Sequence, residues 1–259
     1  MGGHPDDLDG RAFRGNAEVS PGAGGGGEVM AASILNERAA VVIAAYNEAA
    51  MIHGVVVDAM RLFPHVVVVD DGSRDDTGER ALAAGATVLT HPINLGQGAA
   101  LQTGIAWACR AGFDHVVTFD ADGQHRPEDA AEMLRRLHEQ GAQVALGSRF
   151  LGSAENIRAS RRLLLKAATV FTRITTGLRV TDAHNGLRVL RSDAAATIRI
   201  RQNRMAHASE ILEEIARHGF TYVEAPVIIR YTDYSMAKGQ SGFGAFNILL
   251  DLLLARIRK

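Results

Sequence analysis

VVTFDADGQHRPEDA, residues Val116–Ala130, is an apolar run that ends in two carboxylates and leads into a helix. Apolar residues that do not alternate with polar ones are typical of a strand buried on both faces of a parallel sheet. Asp120 and Asp122 stand at its end, one residue apart, where two like charges repel each other. The stretch therefore predicts a buried strand whose terminal carboxylates are held by some other group.

Similar apolar runs occur on both sides of this strand, and helical stretches separate them. We predict strands over Ala39–Ala45, His65–Asp71, Ala86–His91, His115–Asp122 and Gln143–Phe150. We predict helices over Glu48–Phe63, Asp75–Ala84, Gly98–Ala111 and about Pro127–Gln140. This alternation implies βαβ units, so the predicted fold is α/β with a mostly parallel central sheet and helices on both faces.

Polar clusters follow three of the predicted strands, where ligands bind in such sheets. They are Tyr46-Asn47-Glu48, Asp70-Asp71-Gly72-Ser73 and Asp120-Ala121-Asp122. One acidic strand end is also typical of an N-cap for the next helix, but three at one edge indicate a site. Paired carboxylates suit Mg²⁺ or Mn²⁺, which adds water and substrate phosphates to one or two such ligands. The residues alone thus predict a metal–diphosphate site.

Two loops are expected beside this site. Gln124 and His125 would support the metal shell, although a histidine in such a loop is slightly more typical of the surface. INLGQGAAL, Ile93–Leu101, predicts a loop that opens a helix whose N-terminus faces the site, and a simple turn explains its glycines equally well.

The composition narrows the class of protein and its partners. Lys+Arg 28 against Asp+Glu 29 gives a net charge of −1, so no nucleic acid partner is expected. The single cysteine, Cys109, excludes an internal disulfide and predicts a packed core thiol. No apolar run reaches the roughly 18–20 residues that cross a bilayer. The expected location is the cytoplasm, with peripheral attachment to the inner face of the membrane as a companion expectation.

Composition shifts divide the chain into three regions. Residues 1–37 predict a disordered Gly-rich leader, because PGAGGGGEV (Pro21–Val29) buries little apolar surface. Residues 38–241 form the predicted domain. Residues 242–259 predict an amphipathic helix that packs on the core or lies on the membrane surface.

Four motifs resemble, in order and spacing, family 2 glycosyltransferases with the GT-A fold. They are AAYNEA (Ala44–Ala49), VVDDGSRDDT (Val68–Thr77), NLGQGAALQTGI (Asn94–Ile105) and FDADGQHRPED (Phe119–Asp129). The nearest resemblance is to the dolichyl-phosphate mannose synthase-like branch, which moves a sugar from a nucleotide-sugar to a polyprenyl phosphate. Asp120 and Asp122 then resemble the DxD metal motif. The family often has Pro where this chain has Ala44 or Ala45.

The resemblance implies a role for each matching position. The nucleotide-sugar would contact Ala45, Tyr46, Glu48, Asp70, Asp71, Asp120, Ala121, Asp122, Gln124 and Lys238. Asp71, or its neighbour Asp70, would recognise the base. Mg²⁺ or Mn²⁺ would bind Asp120, Asp122 and Gln124, with Asp122 also catalytic. Lys238 stands in YTDYSMAKGQS (Tyr231–Ser241), a loop expected to close on the pyrophosphate or to stay exposed.

The second half resembles the acceptor side of the family. Arg149, which is also a catalytic candidate, Asn185 and Arg188 match positions near the acceptor phosphate, and an arginine fork donates two parallel hydrogen bonds to such a group. Basic residues punctuate the apolar segment Leu163–Ile174, which predicts either a solvated helix face or an amphipathic element at the membrane surface. These residues are Arg158, Arg161, Arg162, Lys166 and Arg173.

The expected function is metal-dependent, inverting transfer of a hexose from a GDP-mannose- or UDP-glucose-type donor to a polyprenyl phosphate. An anionic phosphate needs no general base, whereas a hydroxyl acceptor needs one. Glu210 in HASEILEEI stands where many family 2 enzymes place that base, and it also suits an exposed helix face. The alternatives are transfer to a saccharide hydroxyl with Glu210 as the catalytic base, and a non-catalytic nucleotide-sugar-binding protein. The sequence lacks the basic glycine-rich loop near the first strand that a nucleotidyltransferase would use.

Overall fold

A computed structural model describes residues 33–155, 159–203 and 206–230 of the chain. The strands are β1 Ala39–Ala45, β2 His65–Asp70, β3 Thr87–Thr90, β4 His115–Asp120, β5 Val144–Glu155, β6 Arg188–Arg191 and β7 Tyr222–Arg230. The helices are α1 Ile52–Met60, α2 Thr77–Ala83, α3 Gln97–Arg110, α4 Pro127–Glu139, α5 Ala159–Thr176, α6 Ser192–Thr197 and α7 His207–His218.

The strands form one seven-stranded sheet in the order β3-β2-β1-β4-β6-β5-β7. β1, β2, β3 and β4 are parallel, which confirms the predicted α/β fold with a mostly parallel sheet. Ala45 of β1 pairs with Asp70, and Ala44 pairs with Asp120, so the carboxyl ends of these three strands lie level. The predicted polar clusters therefore meet at one edge.

Helices cover both faces of the sheet. Every residue of β1 is buried, and its side chains alternate between two apolar clusters. Val41 and Ile43 pack with residues of α1 and α4 such as Met133, whereas Val42 packs with α3 and α7 residues such as Ile211. A strand buried on both faces has no polar face, which explains why the apolar runs do not alternate.

β7 was not predicted, and the structure departs from the predicted elements in three further places. β6 is antiparallel to both β4 and β5 and separates them, because the chain returns through the sheet after α5. The first helix begins at Ile52 rather than Glu48, since Glu48 belongs to the loop and its carbonyl accepts the N–H of Ile52. β5 continues past Phe150 through an irregularity between Ser148 and Ser153.

The predicted regions at the two chain ends lie mostly outside the described residues. Residues 33–37, at the end of the predicted leader, form a helical turn, and Leu35 packs against the core. The predicted helix over 242–259 and the loop that contains Lys238 fall outside the described part of the chain. Among the described residues, no helix is long and apolar enough to cross a bilayer.

Candidate active site

The loops after β1 and β2 are bound to each other at the carboxyl edge. The N–H of Asn47 donates to Ser73 Oγ at 2.9 Å, and the N–H of Arg74 donates back to Asn47 Oδ1 at 2.9 Å. The N–H of Glu48 donates to Thr77 Oγ1 at 2.8 Å. Asn47 adopts a left-handed φ of 53°, which asparagine tolerates better than most residues. The two motifs thus build one hydrogen-bonded wall, a role that the sequence did not indicate for Ser73 or Thr77.

Asp120, at the end of β4, is held by one side chain from the loop that follows β4 and by one from the first residue of α3. Its Oδ2 lies 2.9 Å from His125 Nε2, and its Oδ1 accepts from Gln97 Nε2 at 3.1 Å. The Asp120 side chain is still 32% exposed, so it borders solvent. His125 is buried with its ring edge-on to Phe119, so the expectation of a surface loop residue was wrong. Gln97, inside one of the four motifs, was missed as a site residue.

Positive groups set the charge of Asp120. Burial opposes its ionisation, but the hydrogen bond from His125 and the charges of His125, His207 and Arg188 outweigh burial and lower the Asp120 pKa. Asp120 is therefore a fixed anion at neutral pH. His207 begins α7, and no local sequence signal indicated its position near the site.

The pKa of Asp122 shifts in the opposite direction to that of Asp120. Burial and then the charge of Asp120 raise the Asp122 pKa to about 6, and the nearby carboxylate of Glu48 adds to the rise. The N–H of Gln124 donates to Asp122 Oδ1 at 3.0 Å and partly offsets the rise. Because these carboxylates repel one another, a divalent cation placed between them would remove a large unfavourable interaction.

The two carboxylates fit Mg²⁺ or Mn²⁺ rather than a metal held by protein ligands alone. The described residues contain no group of three or more His, Cys, Asp or Glu side chains suited to a metal ion. Mg²⁺ accepts one or two carboxylates and takes water and phosphate oxygens for its other positions. Gln124, the third predicted ligand, supports Asp122 through its backbone N–H.

Asp71 and Asp70 have different surroundings although they are adjacent. The Asp71 carboxylate is buried and accepts the N–H groups of Leu95 at 2.9 Å and Gly96 at 2.7 Å. His91 Nδ1 lies 2.7 Å from the same carboxylate. Asp70 Oδ1 accepts the N–H of Ser73 at 3.0 Å, and Asp70 lines an open cleft between α2 and β3. Asp71 therefore organises the loop before α3, whereas Asp70 borders a cleft.

The predicted acceptor-side residues lie on β5 and on the segment before β6. Arg149 Nε donates to Asp182 Oδ2 at 2.6 Å, and its Nη2 donates to the carbonyl of His184 at 2.8 Å. Arg188 is only 2% exposed, and burial lowers its pKa to about 10. Among the described residues, Arg188 Nη1 and Asn185 Nδ2 are buried N–H groups without an acceptor. Asp182, which anchors Arg149, was missed although it stands only three residues before Asn185.

The remaining predicted residues differ in their exposure and in their hydrogen bonds. Tyr46 is 38% exposed beside the loop wall, whereas Ala45 and Ala121 are buried in the strand ends. Glu210 stands in the first turn of α7, and its Oε2 accepts the N–H groups of Arg201 and Gln202. Its role as a base stays a prediction.

Helix α5 exposes an apolar stripe beside basic side chains. Leu163, Val170 and Ile174 are 71%, 52% and 76% exposed, and their spacing places them on one helix face. Arg162 and Lys166 are exposed next to this stripe. Single exposed apolar residues are ordinary, but a basic-flanked stripe is typical of helices at membrane surfaces.

The fold and this edge define a GT-A glycosyltransferase. The model of glycosyl transferase family 2 matches residues 40–199, and the chain belongs to that family. It is 30% identical to the UDP-N-acetylglucosamine–dolichyl-phosphate N-acetylglucosaminyltransferase of Methanococcus voltae, over 85% of this chain and 96% of the relative. It is also 30% identical to the polyprenol monophosphomannose synthase of Mycolicibacterium smegmatis, over 83% of this chain and 85% of the relative.

A solved structure shares the fold at low identity. Glucosyl-3-phosphoglycerate synthase from Mycobacterium tuberculosis, in complex with Mn²⁺, UDP-glucose and phosphoglyceric acid, superposes with a TM-score of 0.68. The match covers 88% of this chain and 82% of that structure at 21% identity. This likeness confirms the GT-A fold.

Proposed function

We propose that the chain transfers a hexose, with inversion, from a nucleotide-sugar to a polyprenyl phosphate, with Mg²⁺ or Mn²⁺ bound at Asp120 and Asp122. The observation that carries the proposal is the Asp120–Asp122 pair at the carboxyl end of β4. Asp122 forms no ion pair with an arginine or lysine of the described residues, and its pKa is raised to about 6. A cation bound by the donor diphosphate is the partner that this pair lacks.

The donor nucleotide would lie against the wall built by the loops after β1 and β2. Tyr46 is exposed there, and Glu48 lies close enough to Asp122 to raise its pKa. Of the two candidate base-recognising carboxylates, Asp70 fits better, because the Asp71 oxygens already accept from Leu95 and Gly96. We assign Asp71 to the loop and Asp70 to the base of a GDP- or UDP-type donor.

The acceptor proposal draws on the relatives and on α5. Both relatives have names that specify a polyprenol-type phosphate or its mannosylated product. The basic-flanked apolar stripe of α5 would rest on the bilayer surface that holds such an acceptor. Arg149 would face the acceptor phosphate, while Asn185 and Arg188 offer buried N–H groups without a protein acceptor among the described residues.

The reaction needs positioning and charge compensation more than proton transfer. A phosphate oxygen of the acceptor attacks the anomeric carbon from the side opposite the nucleoside diphosphate, which inverts the configuration. When bound, the divalent ion would neutralise charge that develops on the leaving diphosphate. Asp120 and Asp122 would orient the diphosphate, and Arg149 would offset the acceptor charge.

The test is calorimetric titration of UDP and GDP with Mn²⁺ into wild type, D122N and E37Q. Glu37 is exposed and precedes β1, so E37Q removes one negative charge at the sheet edge opposite the site. We expect Mn²⁺-dependent binding of one nucleotide to wild type and E37Q, and at least a tenfold loss in D122N. Equal affinity in D122N would refute the metal assignment.

Turnover separates the remaining alternatives. Transfer of labelled sugar into a polyprenyl phosphate supports the proposal. Transfer to a saccharide that is lost in E210Q would instead support a hydroxyl acceptor with Glu210 as base. Donor binding without any transfer would support a binding protein.

A further inference from the structure

Residues 199–203 cross the N-terminus of α3 in a contact that only glycine allows. The N–H of Gly98 donates to the carbonyl of Asn203 at 3.0 Å. A Cβ on Gly96 would lie 2.1 Å from that carbonyl oxygen, and a Cβ on Gly98 would lie 2.0 Å from the carbonyl oxygen of Gln202. The strap formed by residues 199–203 is therefore pressed directly against the helix backbone.

Glu210 holds the strap from the other side. Its Oε2 accepts the N–H of Arg201 at 2.9 Å and the N–H of Gln202 at 2.8 Å. These two residues immediately precede Asn203, whose carbonyl caps α3. An oxygen that already accepts two backbone N–H groups is poorly placed to take a proton from an acceptor hydroxyl.

The strap ends on the residues that flank Gln97. Gln97 lies between Gly96 and Gly98 and donates from Nε2 to Asp120 Oδ1 at 3.1 Å. A shift of the strap would move the first turn of α3 and with it this amide. The contacts therefore run from Glu210 through the strap and Gln97 to Asp120.

We propose that Glu210 is a positioning residue that keeps Gln97 on Asp120, and so sets the affinity for the metal-bound nucleotide. The proposal rests on the function proposed above, because the readout is nucleotide binding. It assigns Glu210 a role in donor binding, where the sequence pattern suggested proton transfer. A glutamine at position 210 would keep the role, since its amide oxygen accepts the same two N–H groups.

The experiment is a double-mutant cycle on the Kd of UDP and GDP with Mn²⁺, measured by calorimetry on the full chain. We expect E210A and Q97A each to weaken binding about tenfold, and E210A/Q97A to bind no worse than Q97A alone. E210Q should retain wild-type affinity. A merely structural role would lower Tm in E210A and leave the two losses multiplicative, at about a hundredfold together.

Several outcomes would overturn the proposal. Multiplicative losses would overturn it, as would E210Q that binds donor normally but no longer transfers sugar. If E210A does not fold, G98A displaces the strap with Glu210 intact and should show the same tenfold loss; normal affinity in G98A contradicts the account. Wild type that binds neither nucleotide would refute the proposed function itself, whereas normal wild-type binding with uncoupled variants would refute only this inference.

Discussion

Gly186→Ala should disable the site while leaving most of the fold in place. Gly186 lies beside Asp120, and a Cβ there would be 2.2 Å from Asp120 Oδ2 and 2.7 Å from Oδ1. Ordinary contact begins at 3.4 Å, so the carboxylate would have to retreat by about 1.2 Å. Metal–oxygen distances tolerate only about 0.2 Å, and a misplacement of about 1 Å costs roughly a hundredfold in rate.

The expected magnitude is therefore at least a hundredfold loss of metal-dependent transfer, or about 2.7 kcal/mol. Overpacking should lower the free energy of unfolding by about 1–3 kcal/mol. Gly54→Ala is the matched control, because Gly54 is exposed on α1 and a Cβ added there would have nothing within 4 Å. Gly54→Ala should raise stability by up to about 1 kcal/mol. Transfer by Gly186→Ala within threefold of wild type would refute this account of Asp120.

Three other perturbations have expected outcomes of their own. Burial, opposed by Asp182 and reinforced by Arg188 and Arg149, lowers the His184 pKa to about 4. The unfolded chain therefore binds one more proton than the folded chain between about pH 6.5 and 4. Acidification from pH 7 to 5 should lower the free energy of unfolding by about 1–2 kcal/mol, as measured by urea titration. H184N should not show this loss. R149A should lower the free energy of unfolding by about 3–5 kcal/mol, because it leaves the buried Asp182 carboxylate without its ion-pair partner. R149A/D182N should recover part of that loss. Equal stability of R149A and R149A/D182N would contradict the pairing. R162Q/K166Q should lower the affinity for anionic vesicles, measured by co-sedimentation, roughly thirtyfold, at about 1 kcal/mol per basic residue. The control R80Q/R110Q removes two exposed arginines from other helices and should leave this affinity unchanged. Equal losses of affinity in the two double variants would argue against α5 as the membrane-facing element.

The parallel half of the sheet was predictable because a strand that is buried on both faces has an unbroken apolar sequence. β1, β2 and β4 are unalternated apolar runs, and the prediction of β1 as Ala39–Ala45 matches the structure. β6 was not predicted because it is short, Arg188–Arg191, and begins and ends in arginine. Its place between β4 and β5 depends on pairing across the sheet, which no local pattern records.

For the site, too, the residue types and their spacing were predictable from the sequence, whereas the contacts between distant segments were not. The spacing of Asp120 and Asp122 indicated paired carboxylates, but their different pKa values depend on burial and on nearby charges, and two of these charges, His207 and Glu48, come from other segments. The sequence favours a surface position for His125 only slightly over a place beside the metal shell. In the structure its ring packs against Phe119 and its Nε2 lies against Asp120, which no local pattern indicates.

The most direct test of the central claim is transfer of radiolabelled sugar from a panel of nucleotide-sugars into a polyprenyl phosphate in vesicles. We expect label in the lipid phase with one donor, dependent on Mn²⁺ or Mg²⁺, abolished by EDTA and lost in D122N. Label that appears equally in EDTA, or no label in the lipid phase with any donor of the panel, would contradict the account.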